Sequence, residues 1–422
     1  MPDQAPAATS ARVVDVAIVG ASLAGCATAI LLGRAGLRVA LIDKHADQAA
    51  YKRLCGHFIQ ASATPMLERL GLVESIEAAG GVRNGVEVWT RWGIVRAPEE
   101  RSERVYGYNL RRLKLDPMIR ATALATPGVD YLPGNRVVAL LGDGAAATRG
   151  LELRDRKGER TEVHARVVIG ADGRNSTVAR LARARERRSP NTRFCYATYF
   201  SGVERPPPAG GRLWMDDHDL ALLAPNDDGL TIVGVFLDNR RLDEFRGDRE
   251  GALRRYFDGL PGAPPLAGAR CEERVQGYTD YGLIVRDPTP SPHVALVGDA
   301  ALTSDPAMAI GCGWALQSAG WLADSLAPAL AGGEPLAPAL RRYRRERRRH
   351  LMGHHRVIAL DARLRRMTPF QRVLIPAAVS DPEVRAGVLA FGERSAPVRR
   401  LFTPEMIVRT SRATLATGAV KA

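Results

Sequence analysis

Residues 13–45 read VVDVAIVGASLAGCATAILLGRAGLRVALIDKH, and this stretch decides the fold expected for the start of the chain. Its first seven residues are mostly apolar and β-branched, which predicts a buried parallel strand. A helix rich in alanine and leucine, 26–34, follows a tight glycine turn, and Gly36 ends it. A second strand over 39–42 closes at Asp43. The order strand, turn, helix, strand predicts a βαβ unit.

The turn in this unit, GASLAG at 20–25, has nearly the spacing of a dinucleotide-binding fingerprint. Gly20 permits the sharp turn, and Gly25 lets the helix pack close to the strand. Ser22 replaces the usual second glycine but is small enough for the backbone to approach a pyrophosphate. The N-terminus of the helix offers free N–H groups to the phosphates. Because Asp43 also lies where ribose hydroxyls are bound, the segment predicts a dinucleotide site.

Three later stretches resemble motifs of the FAD-dependent monooxygenase superfamily, the para-hydroxybenzoate hydroxylase type. VVIGADGRNSTVAR (167–180) resembles the Asp-Gly motif, and VALVGDAALTSDPAMAIGCGWALQSA (294–319) resembles the Gly-Asp motif. NLRRLKLDPMIRATA (109–123) is similar to the arginine-containing helix that lies by the flavin in those proteins. The resemblance covers about residues 13 to 350 and implies that the dinucleotide is FAD.

The fold class implied is α/β, with a Rossmann-like FAD-binding domain, an interleaved antiparallel β substrate domain and a helical C-terminal segment. Short β-rich runs such as RFCYATYFSGV (193–203) and LTIVGVFLD (230–238) favour an antiparallel sheet in the middle of the chain. We expect an FAD-binding domain over 11–189 and 280–350, a substrate domain over 190–279, and a helical segment over 351–422 that covers the flavin domain.

The resemblance also assigns roles around the flavin. Asp299 would accept a hydrogen bond from the ribityl or pyrophosphate side of FAD, and Pro306 would stiffen the turn under the ring. N–H groups around Cys312 would point at the pyrimidine edge, which gains negative charge on reduction. Lys52 or Arg53 would pair with phosphate. The expected FAD contacts are Gly20, Ser22, Leu23, Ala24, Gly25, Asp43, Lys44, Arg53, Cys55, Arg112, Val137, Asp172, Gly298, Asp299, Pro306, Gly311, Cys312 and Gly313.

One further segment, KRLCG at 52–56, resembles a motif beside the flavin in geranylgeranyl reductases, a branch of the same fold. It makes Cys55 and His57 candidate catalytic residues, although Cys55 is as well explained as a small buried filler. Substrate contacts are expected from Tyr199, Trp214, Phe236 and Met308. For each aromatic residue taken singly, core packing is an alternative.

The charge distribution of the chain indicates which classes of partner to expect. The net charge of +14 comes partly from RARERR (183–188) and RRYRRERRRH (341–350). A solvated surface explains both runs, and attraction of an anionic cofactor, substrate or lipid head group is the alternative. The resemblance implies NADPH or NADH as the reductant, and since the chain has no second fingerprint, this cofactor is expected to bind transiently. The run at 183–188 could attract the 2′-phosphate of NADPH. The resemblance also gives Asp172 a possible second role, in binding NAD(P)H.

Other classes of partner are not expected. The arginine runs lack interleaved aromatic residues, so no nucleic-acid partner is expected. No apolar run reaches the ~18 residues of a membrane span, and the first residues do not resemble a signal peptide. Five dispersed cysteines without a C-x-x-C pair favour reduced thiols in the cytoplasm and no metal site.

The predicted function is that of an FAD-dependent oxidoreductase, an NAD(P)H-driven monooxygenase that hydroxylates or epoxidises an apolar or aromatic small molecule, such as a natural-product intermediate. The alternatives are a flavin-dependent C=C reductase of the geranylgeranyl reductase type and a flavin-dependent halogenase. Both of those families usually carry an aromatic-rich strand where this chain has LALLAP (220–225). A non-enzymatic basic binding protein is a further alternative, which the flavin motifs disfavour.

Overall fold

The computed structural model describes residues 11–55, 57–142, 148–204 and 210–416. Strands in these ranges are β1 (Ala11–Val19), β2 (Val39–Asp43), β3 (Phe58–Ile59), β4 (Val82–Asn84), β5 (Val86–Thr90), β6 (Gly93–Val95), β7 (Gly107–Asn109), β8 (Val129–Pro133), β9 (Arg136–Leu141), β10 (Gly150–Arg154), β11 (Arg160–Gly170), β12 (Glu186–Ser189), β13 (Arg193–Ser201), β14 (Gly211–Asp216), β15 (Asp219–Pro225), β16 (Thr231–Asp238), β17 (Arg270–Cys271), β18 (Gln276–Tyr278), β19 (Leu283–Arg286) and β20 (Val294–Leu296). The α-helices are α1 (Leu23–Arg34), α2 (Thr64–Leu70), α3 (Val73–Ala78), α4 (Glu99–Arg104), α5 (Arg112–Leu124), α6 (Thr177–Leu181), α7 (Arg249–Asp258), α8 (Gly311–Ala331), α9 (Leu336–Arg363), α10 (Pro369–Ser380), α11 (Pro382–Gly392) and α12 (Pro404–Ala416).

The first sheet has the order β8-β2-β1-β11-β10-β9, and β20 pairs with the far end of β11. Its strands β8, β2, β1, β11 and β20 run parallel, so their carboxyl ends meet at one edge. The glycine turn after β1, Asp43 at the end of β2, the Asp-Gly motif after β11 and the Gly-Asp motif after β20 all lie there. The topology thus brings motifs nearly 300 residues apart to one site.

The glycine turn folds as the sequence predicts. Gly20 has φ +105°, a value that side chains other than glycine rarely adopt. A Cβ added at Gly25 would lie 1.7 Å from the carbonyl oxygen of Gly20. Helix α1 therefore contacts the turn so closely that only glycine fits. It begins at Leu23, earlier than expected, and its buried alanines pack against α8.

The second sheet has the order β17-β13-β16-β15-β14-β5-β6, with β18 also pairing with β13. Its middle is antiparallel, as expected. The expected boundary at residue 190 is wrong for this sheet, because β5 and β6 come from the first part of the chain. Strand β5 pairs parallel with β14, a long-range contact that local patterns do not contain.

The C-terminal part is helical, but its helices pack against two different parts of the fold. Helix α9 packs along α8 and crosses the expected boundary at residue 350. Helices α10 to α12 pack on one another and on β6, with Val95, Leu374 and Val384 in their shared core. The expectation that the segment after residue 350 covers the flavin domain is therefore wrong for these three helices. Within the described ranges, no helix is both long and apolar enough to cross a bilayer.

Candidate active site

A cavity of about 990 Å³ lies between the two sheets, at the carboxyl edge of the parallel strands. This is the place where open α/β sheets bind ligands, and the volume suits a cofactor together with a small molecule. Fifteen of the expected FAD contacts line it, and Gly25, Gly298 and Gly313 lie behind its wall. Added Cβ atoms show why two of these three are glycine: at Gly298, for example, the Cβ would come within 2.9 Å of the Ala24 side chain.

Two helix N-termini face this cavity without a side-chain cap. Ser22 precedes α1 and Ile310 precedes α8, and neither side chain bonds the free backbone N–H groups of its helix. Such N-termini attract negative charge. A Cβ added at Gly311 would meet no atom within 4 Å, so there is open space in front of α8. The two N-termini fit the pyrophosphate and the pyrimidine edge of a flavin dinucleotide.

Asp43 and Asp172 shape the backbone around the cavity. The Asp43 carboxylate accepts hydrogen bonds from the N–H groups of Ala21 and His45, both at 2.7 Å. The Asp172 carboxylate accepts from the N–H of Thr177 at 2.6 Å and so caps α6. Burial raises the pKa of Asp172. Both aspartates line the cavity, and both also hold the turns that form its rim.

Arg112 is the buried cation of the site. Its guanidinium forms an ion pair with Asp116 at 2.6 Å and donates a hydrogen bond to Ser22 Oγ at 2.7 Å. It also lies 3.7 Å from Cys55 Sγ and 3.8 Å from Cys312 Sγ. Burial opposes its charge, but Asp116 and the two sulfurs raise its pKa above the ordinary range. Arg112 thus joins the glycine turn, the 52–56 segment and the N-terminus of α8.

Asp299, the acid of the Gly-Asp motif, lines the cavity and pairs with Lys52 at 2.9 Å. Asp299 is the main reason that the pKa of Lys52 is raised, against the effect of burial. Arg53 and Lys44 line the cavity as well. Of the two residues expected to pair with phosphate, Lys52 already has a carboxylate partner, which leaves Arg53 as the candidate.

Asp305, the second acid of the same motif, has a structural partner that sequence reasoning missed. Its carboxylate bonds the buried Arg193 at 2.8 Å, and Arg193 also bonds Asp361 on α9 at 2.8 Å. Asp305 accepts a bond from Ala307 N as well, which fixes the turn at Pro306. The Asp-Pro spacing is thereby explained by anchoring of this turn to β13 and α9. The signal available in the sequence was Arg193, a charged residue at the start of an otherwise β-rich run.

The second sheet supplies an apolar wall to the cavity. Tyr199, Leu222, Ile232 and Phe236 line it from three adjacent strands. Trp214 does not line it, which corrects the expected substrate contact. Its side chain lies on the other face of the sheet, where the indole N–H donates to the Pro261 carbonyl at 2.9 Å. Met308 packs behind the wall with Tyr199 and Phe236 and also is not part of the lining.

His57 and Tyr199 meet at this wall. The Tyr199 hydroxyl and His57 Nδ1 are joined by a buried hydrogen bond, and the two rings stack at 5.4 Å. Burial lowers the pKa of His57 and raises the pKa of Tyr199. Nε2 of the same imidazole is buried and has no hydrogen-bond partner within the described part of the chain.

The arginine run at 183–188 lies apart from the cavity lining. It forms part of the two-stranded antiparallel sheet of β12 and β19, where Arg188 pairs with Glu186 and Arg185 pairs loosely with Asp287 at 3.5 Å. Arg344, from the run at 341–350, also lies 3.5 Å from Asp287. The two basic runs therefore meet on one surface.

The geometry agrees with comparisons to known proteins. A family model described as an FAD binding domain matches residues 13–204. A tryptophan 2-halogenase from Chondromyces crocatus is 26% identical over 364 residues, covering 82% of this chain and 67% of the relative. A kynurenine 3-monooxygenase from Xanthomonas euvesicatoria pv. vesicatoria is 27% identical over 273 residues, covering 60% of this chain but only 58% of the relative. The chain thus spans about two thirds or less of the length of these two relatives.

Among solved structures, the flavin-dependent brominase Bmp2 superposes with a TM-score of 0.78 at 19% identity, covering 96% of this chain and 99% of that chain. This likeness concerns the fold. The fold, the cavity and the family match together define an FAD-dependent oxidoreductase. Residues 13–204 match the FAD binding domain, and the chain as a whole is similar to members of the FAD-dependent monooxygenase superfamily of the para-hydroxybenzoate hydroxylase type.

Proposed function

We propose that this protein is an NAD(P)H-dependent flavin monooxygenase that hydroxylates or epoxidises an apolar or aromatic small molecule. The observation that carries the proposal is the continuity of one cavity. It reaches from the uncapped N-termini of α1 and α8 to the apolar wall at Tyr199 and Phe236. A planar apolar molecule on this wall shares one cavity with the flavin.

The residues that would hold FAD are the turn at Gly20 to Gly25, Asp43, Arg112, Asp299 and the α8 N-terminus. Bound FAD, reduced by NAD(P)H, supplies the activation of molecular oxygen. The chain itself supplies binding, orientation and exclusion of water. The apolar side chains of β13, β15 and β16 remove water from the substrate face.

The apolar wall favours a substrate whose ring is largely without charge, because Tyr199, Leu222, Ile232 and Phe236 offer it contacts that exclude water.

Halogenation is the second candidate function, because a tryptophan 2-halogenase matches over 82% of the chain. The experiment that separates the two uses the FAD-loaded enzyme, NADPH, ¹⁸O-labelled oxygen and bromide in one vessel. L-kynurenine, 4-nitrophenol and L-tryptophan serve as probes. Labelled oxygen in a product supports the monooxygenase. A product that gains bromine without the label supports the halogenase, and saturation of a double bond in an isoprenoid probe without oxygen supports the C=C reductase.

A further inference from the structure

Cys55 and Cys312 are brought together at the cavity although 257 positions separate them in the chain. Their sulfur atoms lie 3.6 Å apart. Cys55 belongs to the loop before β3, and Cys312 is the second residue of α8. Both line the cavity. A disulfide needs the sulfurs at about 2.05 Å, so a rotation of one or both side chains that closes roughly 1.5 Å would join them.

The surroundings of this pair differ from those of a buried filler. The Arg112 guanidinium lies within 3.8 Å of both sulfurs, and the backbone N–H of His57 donates to Cys55 Sγ at 3.4 Å. The Cys312 thiol, Arg112 and Lys52 all favour the Cys55 thiolate and lower the pKa of Cys55. In return the pKa of Cys312 is raised, so Cys55 is the thiol of the pair that ionises more readily.

The other three cysteines provide an internal contrast. Burial raises the pKa of Cys26, Cys195 and Cys271, which makes their thiols poor nucleophiles. Cys195 lines the same cavity from β13. Cys55 therefore differs from Cys195 in its neighbouring residues and not in its location at the cavity.

We propose that Cys55 and Cys312 are a peroxide-reactive dithiol that closes to a reversible disulfide at the flavin site. Hydrogen peroxide is the oxidant, and oxygen-using flavoproteins release it when turnover forms no product. The Cys55 thiolate attacks one oxygen of peroxide, the O–O bond breaks, and hydroxide leaves while Cys55 becomes a sulfenic acid. The Cys312 sulfur then attacks the Cys55 sulfur, the S–S bond forms, the S–O bond breaks, and water leaves with the Cys312 proton. Two thiols and one peroxide give one disulfide and two waters.

The disulfide would change the site. It ties the loop before β3 to the N-terminus of α8 and removes the thiolate that faces Arg112. Because both changes fall on expected FAD contacts, the oxidised enzyme should hold FAD differently from the reduced enzyme. The inference concerns the thiols alone and stands whichever reaction the flavin performs.

The test follows the thiols by mass spectrometry. Holoenzyme is reduced with dithiothreitol, desalted without oxygen, exposed to one equivalent of hydrogen peroxide, blocked with N-ethylmaleimide and digested with trypsin. The tryptic peptides 54–69 and 287–341 contain Cys55 and Cys312, each as the one cysteine of its peptide. We expect the free thiols to fall from five to three and the two peptides to appear cross-linked. Dithiothreitol should restore all five.

Matched variants locate the chemistry. Cys195→Ser should still form the cross-link, whereas Cys55→Ser and Cys312→Ser should not. In Cys312→Ser, a dimedone probe should trap a sulfenic acid at Cys55 at least tenfold more than it traps Cys312 in Cys55→Ser. Recovery of both peptides as separate maleimide adducts from oxidised wild-type protein would overturn the proposal. So would oxidation of Cys55 to sulfinic acid without a cross-link. The wild-type result needs no variant to fold, and apoenzyme treated in parallel shows whether FAD shields the pair.

Discussion

The Tyr199 hydroxyl and His57 Nδ1 form a buried hydrogen bond across 142 positions of the chain. It joins the loop before β3, which follows the FAD-binding unit, to β13 of the second sheet. His57 itself has φ +53°, a strained value for a residue with a side chain. The bond therefore holds a strained residue in place and ties its loop to the apolar wall of the cavity.

Tyr199→Phe should destabilise the protein by about 1–3 kcal/mol, because it leaves a buried imidazole nitrogen without a partner. Urea unfolding followed by circular dichroism measures the change. Tyr51→Phe is the control: Tyr51 also lines the cavity but is 38% exposed, so its loss should stay within about 0.5 kcal/mol. Equal effects of the two substitutions would show that the His57–Tyr199 bond contributes nothing.

Gly25→Ala should prevent normal FAD binding and lower stability by about 3 kcal/mol, the upper end of ordinary overpacking. The reason is the 1.7 Å approach of the added Cβ to the Gly20 carbonyl. Gly313→Ala is the matched control, since its Cβ would lie 3.5 Å from the nearest atom, an ordinary contact. Visible absorbance after gel filtration and the melting temperature report both quantities. A yellow Gly25→Ala protein with the parent's melting temperature contradicts the assignment of this turn.

Asp299→Ala should raise the dissociation constant of FAD about 10- to 100-fold, as loss of a charge-assisted hydrogen bond costs about 1.5–3 kcal/mol. Fluorescence quenching during titration of apoenzyme with FAD measures it. Lys52→Met tests whether Asp299 acts through its own contact with FAD. The Lys52–Asp299 pair is partly exposed and by itself worth about 0–1 kcal/mol, so this change should be much smaller. Equal losses in the two variants would mean that Asp299 serves mainly to hold Lys52.

The sequence predicts the parts of this site that depend on local backbone geometry. Gly20, Gly25 and the β-branched strand before them carry their constraints within a few residues, and their positions in the fold are as expected. Orientation within the second sheet depends on strand register, which a one-residue slip reverses. For that reason Trp214 and Tyr199 could not be distinguished beforehand, although they face opposite sides.

Contacts between segments that lie far apart in the chain are the second feature that the sequence does not predict. The joining of β5 to β14, the Arg193–Asp305 ion pair and the approach of Cys55 to Cys312 each involve segments more than 100 residues apart. None has a local signature, because the partner of an arginine, aspartate or cysteine in the fold is not encoded by the residues next to it in the chain. Only the path of the chain through both sheets brings them together.

Replacing Arg185, Arg187 and Arg188 by glutamine tests the NADPH hypothesis. If this run attracts the 2′-phosphate, flavin reduction by NADPH should slow roughly tenfold at low salt and reduction by NADH should change little. Stopped-flow measurement without oxygen gives both rates. Glutamine at Arg246, Arg255 and Arg270, three exposed arginines outside both basic runs, is the control. At 1 M salt, where the Debye length is about 3 Å, the difference should vanish. Equal slowing with both reductants would mean that the run at 183–188 is a solvated surface that does not attract NADPH selectively.

Stability should fall as the pH drops below neutrality, and two histidines of α9 are expected to contribute. Burial lowers the pKa of His354 and of His355 to about 4. Arg394 lowers the pKa of His354 further, and Arg347 and Arg356 lower that of His355. An unfolded histidine titrates near 6.5. Between these values the unfolded chain binds more protons than the folded chain, so the free energy of unfolding rises with pH.

A shift of this size corresponds to at most about 3 kcal/mol for each histidine, present above pH 6.5 and lost towards pH 4. Urea unfolding at closely spaced pH values measures the slope, and the double variant His354→Gln/His355→Gln should flatten it between pH 4.5 and 6.5. His45→Gln, at an exposed position, should keep the wild-type slope. Because glutamine does not titrate in this range, the slope is informative even where the double variant is less stable at every pH. An unchanged slope would mean that both imidazoles reach water, and take up their protons, in the folded protein.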